Sequence, residues 1–289
     1  MRIGVLGNVG SWYVRDLGRA GAARGHEVLR IDFPRMTARV SAAAASLASR
    51  DADLAAFDAL VIRTMPPGSL EQVVFRMDAL GQLEQSGVVV HNPPRAIECA
   101  VDKYLTTARL QAAGLPVPET VVCESAEDAQ AAFESLGGDV VVKPIFGAEG
   151  RGILRVNDPD LALRVFRTLE RIQAVLYLQR FVPHPGFDVR VLVLDGRVVA
   201  AMRRSSAHDF RTNVSRQAHA AAVEPTDQER AWALAASQAV GTRMAGVDLL
   251  YDDQGRGYVI EVNAVPGWQA LARVTGLDIA QQLIESLER

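Results

Sequence analysis

Short apolar runs alternate with helical periodicity along the first 91 residues. Residues 2–7 (RIGVLG) are an apolar run closed by a glycine turn, and 12–24 carry apolar positions at helical spacing. Apolar runs at 27–32, 59–65 and 88–91 and a helical stretch at 69–86 continue the series. This alternation predicts a parallel sheet covered by helices, an α/β arrangement. The Ala-rich residues 42–48 predict a helix of small side chains packed on that sheet. Asn92, Pro93 and Pro94 break the pattern, a helix is predicted over 96–113, and the proline-spaced residues 115–118 mark a boundary between lobes.

A second unit follows, with strands at 120–123, 139–145, 153–156 and 175–182, helices at 125–136 and 159–172, and a glycine-rich loop at 147–152. Pro183 and Pro185 mark another joint. The last unit opens with a hairpin turning at Asp195-Gly196. It continues through a polar stretch at 205–217, a helix at 226–242, a second hairpin at 246–263 and a C-terminal helix from Ile279. The expected lobes are therefore 1–92, 93–182 and 183–289.

Composition narrows the class. The 289 residues carry 31 basic and 34 acidic side chains, a net charge of −3 that argues against bulk attraction to nucleic acid. Cys99 and Cys123 stand in no CxxC pair, so neither a disulfide framework nor a zinc site is expected. The first residues lack the pattern of a signal peptide, and no apolar run approaches the roughly 20 residues of a membrane span, so a cytoplasmic protein is expected. Only Lys103 and Lys143 are lysines; every other basic residue is arginine. A lysine kept against that bias suits a site needing a compact ammonium on a flexible stem, such as a phosphate site.

Three segments carry chemistry. In AGVDLLYDDQGRGYVIEVNAVPG, a turn centred on Gln254-Gly255 sets Tyr251 against Tyr258 and Asp248 against Glu261, with Asn263 on the same face as Glu261. Facing carboxylates repel unless a cation lies between them, and two carboxylates plus an amide oxygen suit Mg²⁺ or Mn²⁺. A solvated acidic pair is the ordinary alternative for one hairpin taken alone. In VVVKPIFGAEGRGI, an apolar strand delivers Lys143 to Gly147, Gly150 and Gly152, whose N–H groups can cover phosphates; a plain glycine turn is the alternative. Arg190, Arg203, Arg204, Arg211 and Arg216 lie on three neighbouring segments, either a phosphoryl or carboxylate clamp or a solvated basic face.

Together these segments resemble the ATP-grasp superfamily, and within it the RimK-like glutamate ligases. The resemblance rests on VDKYLT, VVKPIFGAEGRGI, LQRFV, GFDVRVLV, RRSSAHDFRTNVSR, AGVDLL, EVNAVPG and TGLDIA, in order from about residue 90 to the C-terminus. It implies an ATP-grasp fold behind an N-terminal Rossmann-like pre-ATP-grasp domain, with ATP between the central and C-terminal lobes. Lys103 and Lys143 would contact phosphates, and Gln179, Arg180 and Phe181 would lie on the adenine hinge. There the family usually has Gln-Glu-aromatic, so Arg180 replaces an acid. Asp188 would lie near the nucleotide, and Arg211, Thr212 and Asn213 would touch phosphates. Asp248, Glu261 and Asn263 would hold two Mg²⁺ or Mn²⁺ ions. Arg190 and Arg211 would position an acyl phosphate.

The implied reaction joins an amine, L-glutamate, to a carboxylate-bearing acceptor with ATP as co-substrate. No nucleic acid or membrane partner is expected, and homo-oligomers are common in the superfamily. Residues 92–123 and 261–268 look most like the branch acting on tetrahydromethanopterin-type cofactors, with Asn8, Ser11, Trp12 and Tyr13 lining part of the acceptor pocket. Two other readings compete. GVLGNVG followed by Asp32 imitates a nicotinamide-dinucleotide oxidoreductase, although Gly4, Gly7 and Gly10 do not give GxGxxG. A non-catalytic nucleotide-binding regulator would retain the fold without turnover.

Overall fold

The computed structural model describes residues 1–42, 44–147, 151–206 and 219–289. The chain opens with β1 (Arg2–Leu6), α1 (Trp12–Ala23) and β2 (Glu27–Ile31). A small antiparallel sheet follows, built of β3 (Met36–Val40), β4 (Ala45–Ser49) and β5 (Ala52–Asp53). Then come β6 (Ala59–Ile62), α2 (Leu70–Gln85) and β7 (Val89–His91). The main sheet is parallel in the order β2-β1-β6-β7. Its strands are continuously apolar because both faces are covered. The Ala-rich segment is a strand, not the expected helix. Ser41 turns the chain back through hydrogen bonds with Ala44, after which residues 45–49 pair with β3. A side chain that bonds its own backbone favours a turn over a helix start here.

The next helical stretch is broken in two, α3 (Pro94–Val101) and α4 (Lys103–Ala112). Asp102 ends one helix and caps the other, accepting from Leu105 N–H at 2.9 Å. The break sets Lys103 at the first position of α4, with its N–H donating to Ile145 O. Beyond it lie β8 (Thr120–Cys123), α5 (Ala126–Ser135), β9 (Val140–Lys143), β10 (Leu154–Val156), α6 (Pro159–Arg171) and β11 (Leu176–Arg180). They form an antiparallel sheet ordered β10-β9-β11-β8, with α5 and α6 burying Phe133 and Phe166 against it.

The last part holds β12 (Phe187–Leu194), β13 (Arg197–Ser205), β14 (His219–Val223), α7 (Asp227–Val240), β15 (Met244–Tyr251), β16 (Gly257–Asn263), α8 (Gln269–Thr275) and α9 (Ile279–Leu287). Its antiparallel sheet is ordered β14-β13-β12-β15-β16. The β12–β13 hairpin turns at Asp195-Gly196, both at positive φ, as the sequence predicts. Val189, Val191, Val247 and Leu249 pack on α7, and α3 and α4 contribute Cys99 and Leu110 to the same core. Leu192, Leu194, Met202 and Met244 instead join Ile3, Val5, Leu17 and α9 in a core shared with the N-terminal sheet. Buried Asn92 ties the joint: it donates to the carbonyls of Met244 and Ala264 and accepts from Arg243 and Met244 N–H.

The second hairpin holds a β-bulge. Asp248 pairs with Glu261, as its sequence predicts, but Tyr251 pairs with Gly257 and Leu250 with Tyr258. The one-residue shift between Asp248 and Leu249 corrects the expected Tyr251–Tyr258 pairing. Gly257 fits there because a Cβ would lie 2.5 Å from the Trp232 ring and 2.9 Å from that of Tyr251.

Candidate active site

Strand alternation and register build a charged row on one face of the C-terminal sheet. Asp188 and Arg190 share a face of β12; Arg190 pairs across to Asp248 of β15, and Asp248 to Glu261 of β16. Arg190 grips Asp248 with both prongs, Nε to Oδ1 at 2.6 Å and Nη2 to Oδ2 at 2.7 Å. Arg204 of β13 grips Asp188 in the same way, at 2.7 and 2.6 Å, and reaches Asp248 Oδ2 at 3.1 Å. Such forks are among the strongest charge-assisted hydrogen bonds. Burial alone would raise the Asp248 carboxyl, but the Arg190 and Arg204 guanidiniums outweigh it and hold the group below the usual carboxylate range. Burial likewise opposes the charge on Arg204, and Asp248 and Asp188 more than compensate.

A cleft of about 650 Å³, open mouth included, lies between this row and the central sheet. Lys143, Gln179, Arg180, Phe181, Asp188, Asp248 and Glu261 all line it, so the structure brings together most of the residues that the sequence singles out. Burial pushes the Lys143 ammonium down to about 8; Glu261 opposes the shift and Lys103 adds to it. Burial also lowers Lys103, again against Glu261 and Asp102. Glu261 is thus the carboxylate whose field reaches both lysines. Lys103 Nζ donates to Gly147 O at 3.0 Å, pinning the start of the glycine-rich stretch.

The expected hinge residues, Gln179, Arg180 and Phe181, line the cleft together with Val182. Gln179 is buried, accepts from Lys143 Nζ at 2.6 Å and donates to Thr120 Oγ1 at 3.0 Å, so it orients the lysine. The N–H groups of Arg180 and Phe181 donate to Glu119 O and Asp139 O. The Arg180 side chain pairs with Glu119, and the Arg155 guanidinium lies 3.5 Å from the Phe181 ring centre. Of the two arginines closing β13, alternation turns only Arg204 inward; Arg203 covers the Phe187 ring. His184, Leu250 and Ile260 also line the cleft and were not among the residues that the sequence singles out; for the choice between Arg203 and Arg204, a strand-parity count was the available signal. Arg211, Thr212, Asn213 and Arg216 lie outside the described residues, as does Gly150. Asp32, the supposed ribose acceptor of a dinucleotide fold, is held by Arg50 at 2.8 Å.

The expected metal ligands fit a hard cation unevenly. Among the described residues, no three His, Cys, Asp or Glu side chains form a metal-sized cluster. Asp248 is already engaged by two guanidiniums, one contact at Oδ1 and two at Oδ2. Among the described residues Glu261 forms no ion pair, and Asn263 uses only its amide N–H₂, donating to Gly246 O at 3.3 Å. A carboxylate and an amide oxygen thus remain available, a donor set suited to Mg²⁺ or Mn²⁺ rather than to zinc.

Known proteins resemble this chain along nearly its whole length. Residues 1–97 match the RimK PreATP-grasp domain and residues 100–287 the RimK-like ATP-grasp domain. The chain is 33% identical to the tetrahydromethanopterin:alpha-L-glutamate ligase of Methanosarcina acetivorans, over 90% of this chain and 89% of that one. It is 31% identical to a probable alpha-L-glutamate ligase of Trichodesmium erythraeum, over 100% and 96%. Among solved structures, the ATP-grasp ligase PsnB complexed with its minimal precursor superposes with a TM-score of 0.77 at 26% identity, over 99% of this chain and 98% of that one.

Proposed function

The chain belongs to the RimK-like ATP-grasp family and is an ATP-dependent ligase, and on that premise we propose that it joins L-glutamate to a carboxylate of a small acceptor. The observation that carries the proposal is the placement of Glu261, which lines the cleft with Lys143, lies within electrostatic reach of both lysines, and stands in register with Asp248 beside Arg190. Cations on one wall of a cleft and an oxygen-donor row on the other suit a polyphosphate.

In this reading, Lys103 and Lys143 hold the nucleotide phosphates, and Gln179 fixes the Lys143 ammonium in place. Glu261 and Asn263 would hold the divalent ion, with Asp248 joining them as ligand or as the anchor of Arg190. When bound, the ion supplies charge neutralisation to the terminal phosphates of ATP. The acceptor carboxylate attacks the γ-phosphorus, the bond to the bridging oxygen breaks, and ADP leaves. The amine then attacks the acyl carbon of the resulting acyl phosphate, loses a proton, and expels inorganic phosphate as the amide forms. Arg190, with its planar fork, orients the phosphoryl and carboxylate oxygens. No side-chain nucleophile is needed; positioning and fixed charge do the work.

The relative from Methanosarcina acetivorans supports a pterin-type cofactor ending in a carboxylate as acceptor. The test is a panel of carboxylate acceptors, pterin-type cofactors among them, with ATP, Mg²⁺ and L-glutamate. The expected result is ADP release matched by a product one glutamyl unit heavier. ADP release that does not depend on any carboxylate and amine pair would contradict the proposal.

A further inference from the structure

The N-terminal sheet has its own topological switch point, its mouth. In the order β2-β1-β6-β7, the chain runs outward from β1 to one side and returns on the other, so the strand order reverses between β1 and β6. Ligands of open parallel sheets settle outside the C-terminal ends of the strands at such a reversal. Here that place lies between residues 7–13, which follow β1, and Arg63, which follows β6. The Arg63 N–H itself donates to Leu6 O at 2.9 Å.

Arg63 is 9% exposed, and among the described residues it forms no ion pair. Nη2 donates to Pro266 O at 2.8 Å, while Nε is buried without a partner. The guanidinium carbon lies 4.7 Å from the centre of the Tyr13 ring and 4.3 Å from that of Trp268, and the two rings meet edge to face. Aromatic contact offsets part of the cost of burying the charge, and it uses the faces of the guanidinium. Its edge, where a carboxylate would bind with two parallel hydrogen bonds, is not used in that contact. Burial brings its pKa down to about 10, so it stays a cation at neutral pH.

The mouth adjoins the charged row. Pro266, which accepts from Arg63, lies three residues beyond Asn263. Its Cβ is 3.0 Å from the point where Gly246 would carry a Cβ, and Arg190 Nε is 3.5 Å from that same point. Gly267 next to it admits no side chain, since a Cβ would lie 2.6 Å from Tyr13 Oη. The 264–268 loop therefore connects Arg63 on one side to Arg190 on the other. Helix α1 opens on the mouth with no acid in its first turn, and Ser11 makes no capping bond there.

We propose that Arg63 is a carboxylate anchor: it grips a non-reacting carboxylate of the substrate between Tyr13, Trp268 and the 264–268 loop, with the reacting end directed toward Arg190. This rests on the ligase reading for the identity of the ligand. A purely structural role, stapling the N-terminal sheet to Pro266, would affect stability but not the choice between a carboxylate and its amide.

Trp268 fluorescence and calorimetry can report binding without turnover. Wild type, Arg63→Met and Arg63→Lys are titrated with L-glutamate, glutarate and glutaramide in the presence of Mg²⁺ and a non-hydrolysable ATP analogue. Wild type should prefer the two carboxylates over the diamide by about tenfold or more, the factor that a lost two-pronged contact costs. Arg63→Met should lose about tenfold in affinity for the two carboxylates, keeping only the part that Arg190 supplies, with diamide and nucleotide affinity unchanged, and Arg63→Lys should recover part of the loss. Carboxylate affinity in Arg63→Met equal to wild type would overturn the anchor. If Arg63→Met does not fold, wild type decides alone: no preference for carboxylate over diamide overturns it. ADP release in the acceptor panel is scored separately. Arg63-dependent carboxylate binding without ADP release keeps the anchor and removes the ligase reading. ADP release with unchanged KM for both carboxylate substrates in Arg63→Lys does the reverse.

Discussion

Replacing Lys143 with arginine should uncouple nucleotide binding from proton uptake. In the free protein, burial brings this lysine to about 8, against an ordinary value of 10.5. Roughly half of it is then neutral at pH 8, a tenth at pH 7 and nine-tenths at pH 9. Phosphate oxygens at Nζ favour the ammonium, so nucleotide binding raises the pKa again and draws in about half a proton at pH 8, less below and more above. The nucleotide Kd should therefore climb toward tenfold per pH unit above about 8. Calorimetry at pH 8 in two buffers of different ionisation enthalpy reads the uptake directly. Lys143→Arg remains charged throughout and subtracts whatever the nucleotide itself contributes. An uptake near zero in wild type, or the same uptake in Lys143→Arg, would refute the assignment of this lysine to the phosphates. Without nucleotide the sign is also defined. The unfolded chain keeps this proton up to 10.5 while the folded chain releases it near 8, so the residue's contribution to stability rises with pH across that window.

Other residues give independent readings. Glu261→Ala should abolish turnover in an ADP-release assay and lower the midpoint of proton uptake, because the carboxylate that favours both ammonium groups is gone. Arg204→Met strips a guanidinium from two buried carboxylates and should cost about 3–5 kcal/mol in denaturant unfolding; a loss below about 1 kcal/mol would contradict the buried network. Asn92→Ala removes four hydrogen bonds between the N-terminal sheet and the joint, and should cost about 3 kcal/mol or more by the same measurement. Gly267→Ala forces Tyr13 or the 264–268 loop to move and should raise KM for a carboxylate substrate more than for ATP, read by initial rates.

The parts of the fold legible in the sequence are those governed by local periodicity. Apolar runs covered on both faces identified the parallel strands, and Asp195-Gly196 set a two-residue hairpin turn. The Ala-rich segment misled because helix propensity is weak beside a Ser41 turn and a strand waiting to pair. The Asp248–Glu261 pairing could be read from a symmetric turn, yet the turn itself is shifted by one residue and the bulge restores the register. The destination of the Asp248 carboxylate could not be read. It goes to Arg190 and Arg204 on two other strands, a contact set by sheet order rather than by spacing in the chain. Arg63 stayed invisible for the same reason: Tyr13, Trp268 and Pro266 come to it from distant positions. The two lysines, which scarcity alone singled out, both sit in the field of Glu261.

Heavy-oxygen labelling of the acceptor carboxylate tests the ligase chemistry most directly. With ATP, Mg²⁺ and L-glutamate, an acceptor labelled at both carboxylate oxygens should pass one label to the released inorganic phosphate, with ADP as the other nucleotide product and the second label kept in the amide. Unlabelled phosphate, or AMP with pyrophosphate, would contradict passage through an acyl phosphate.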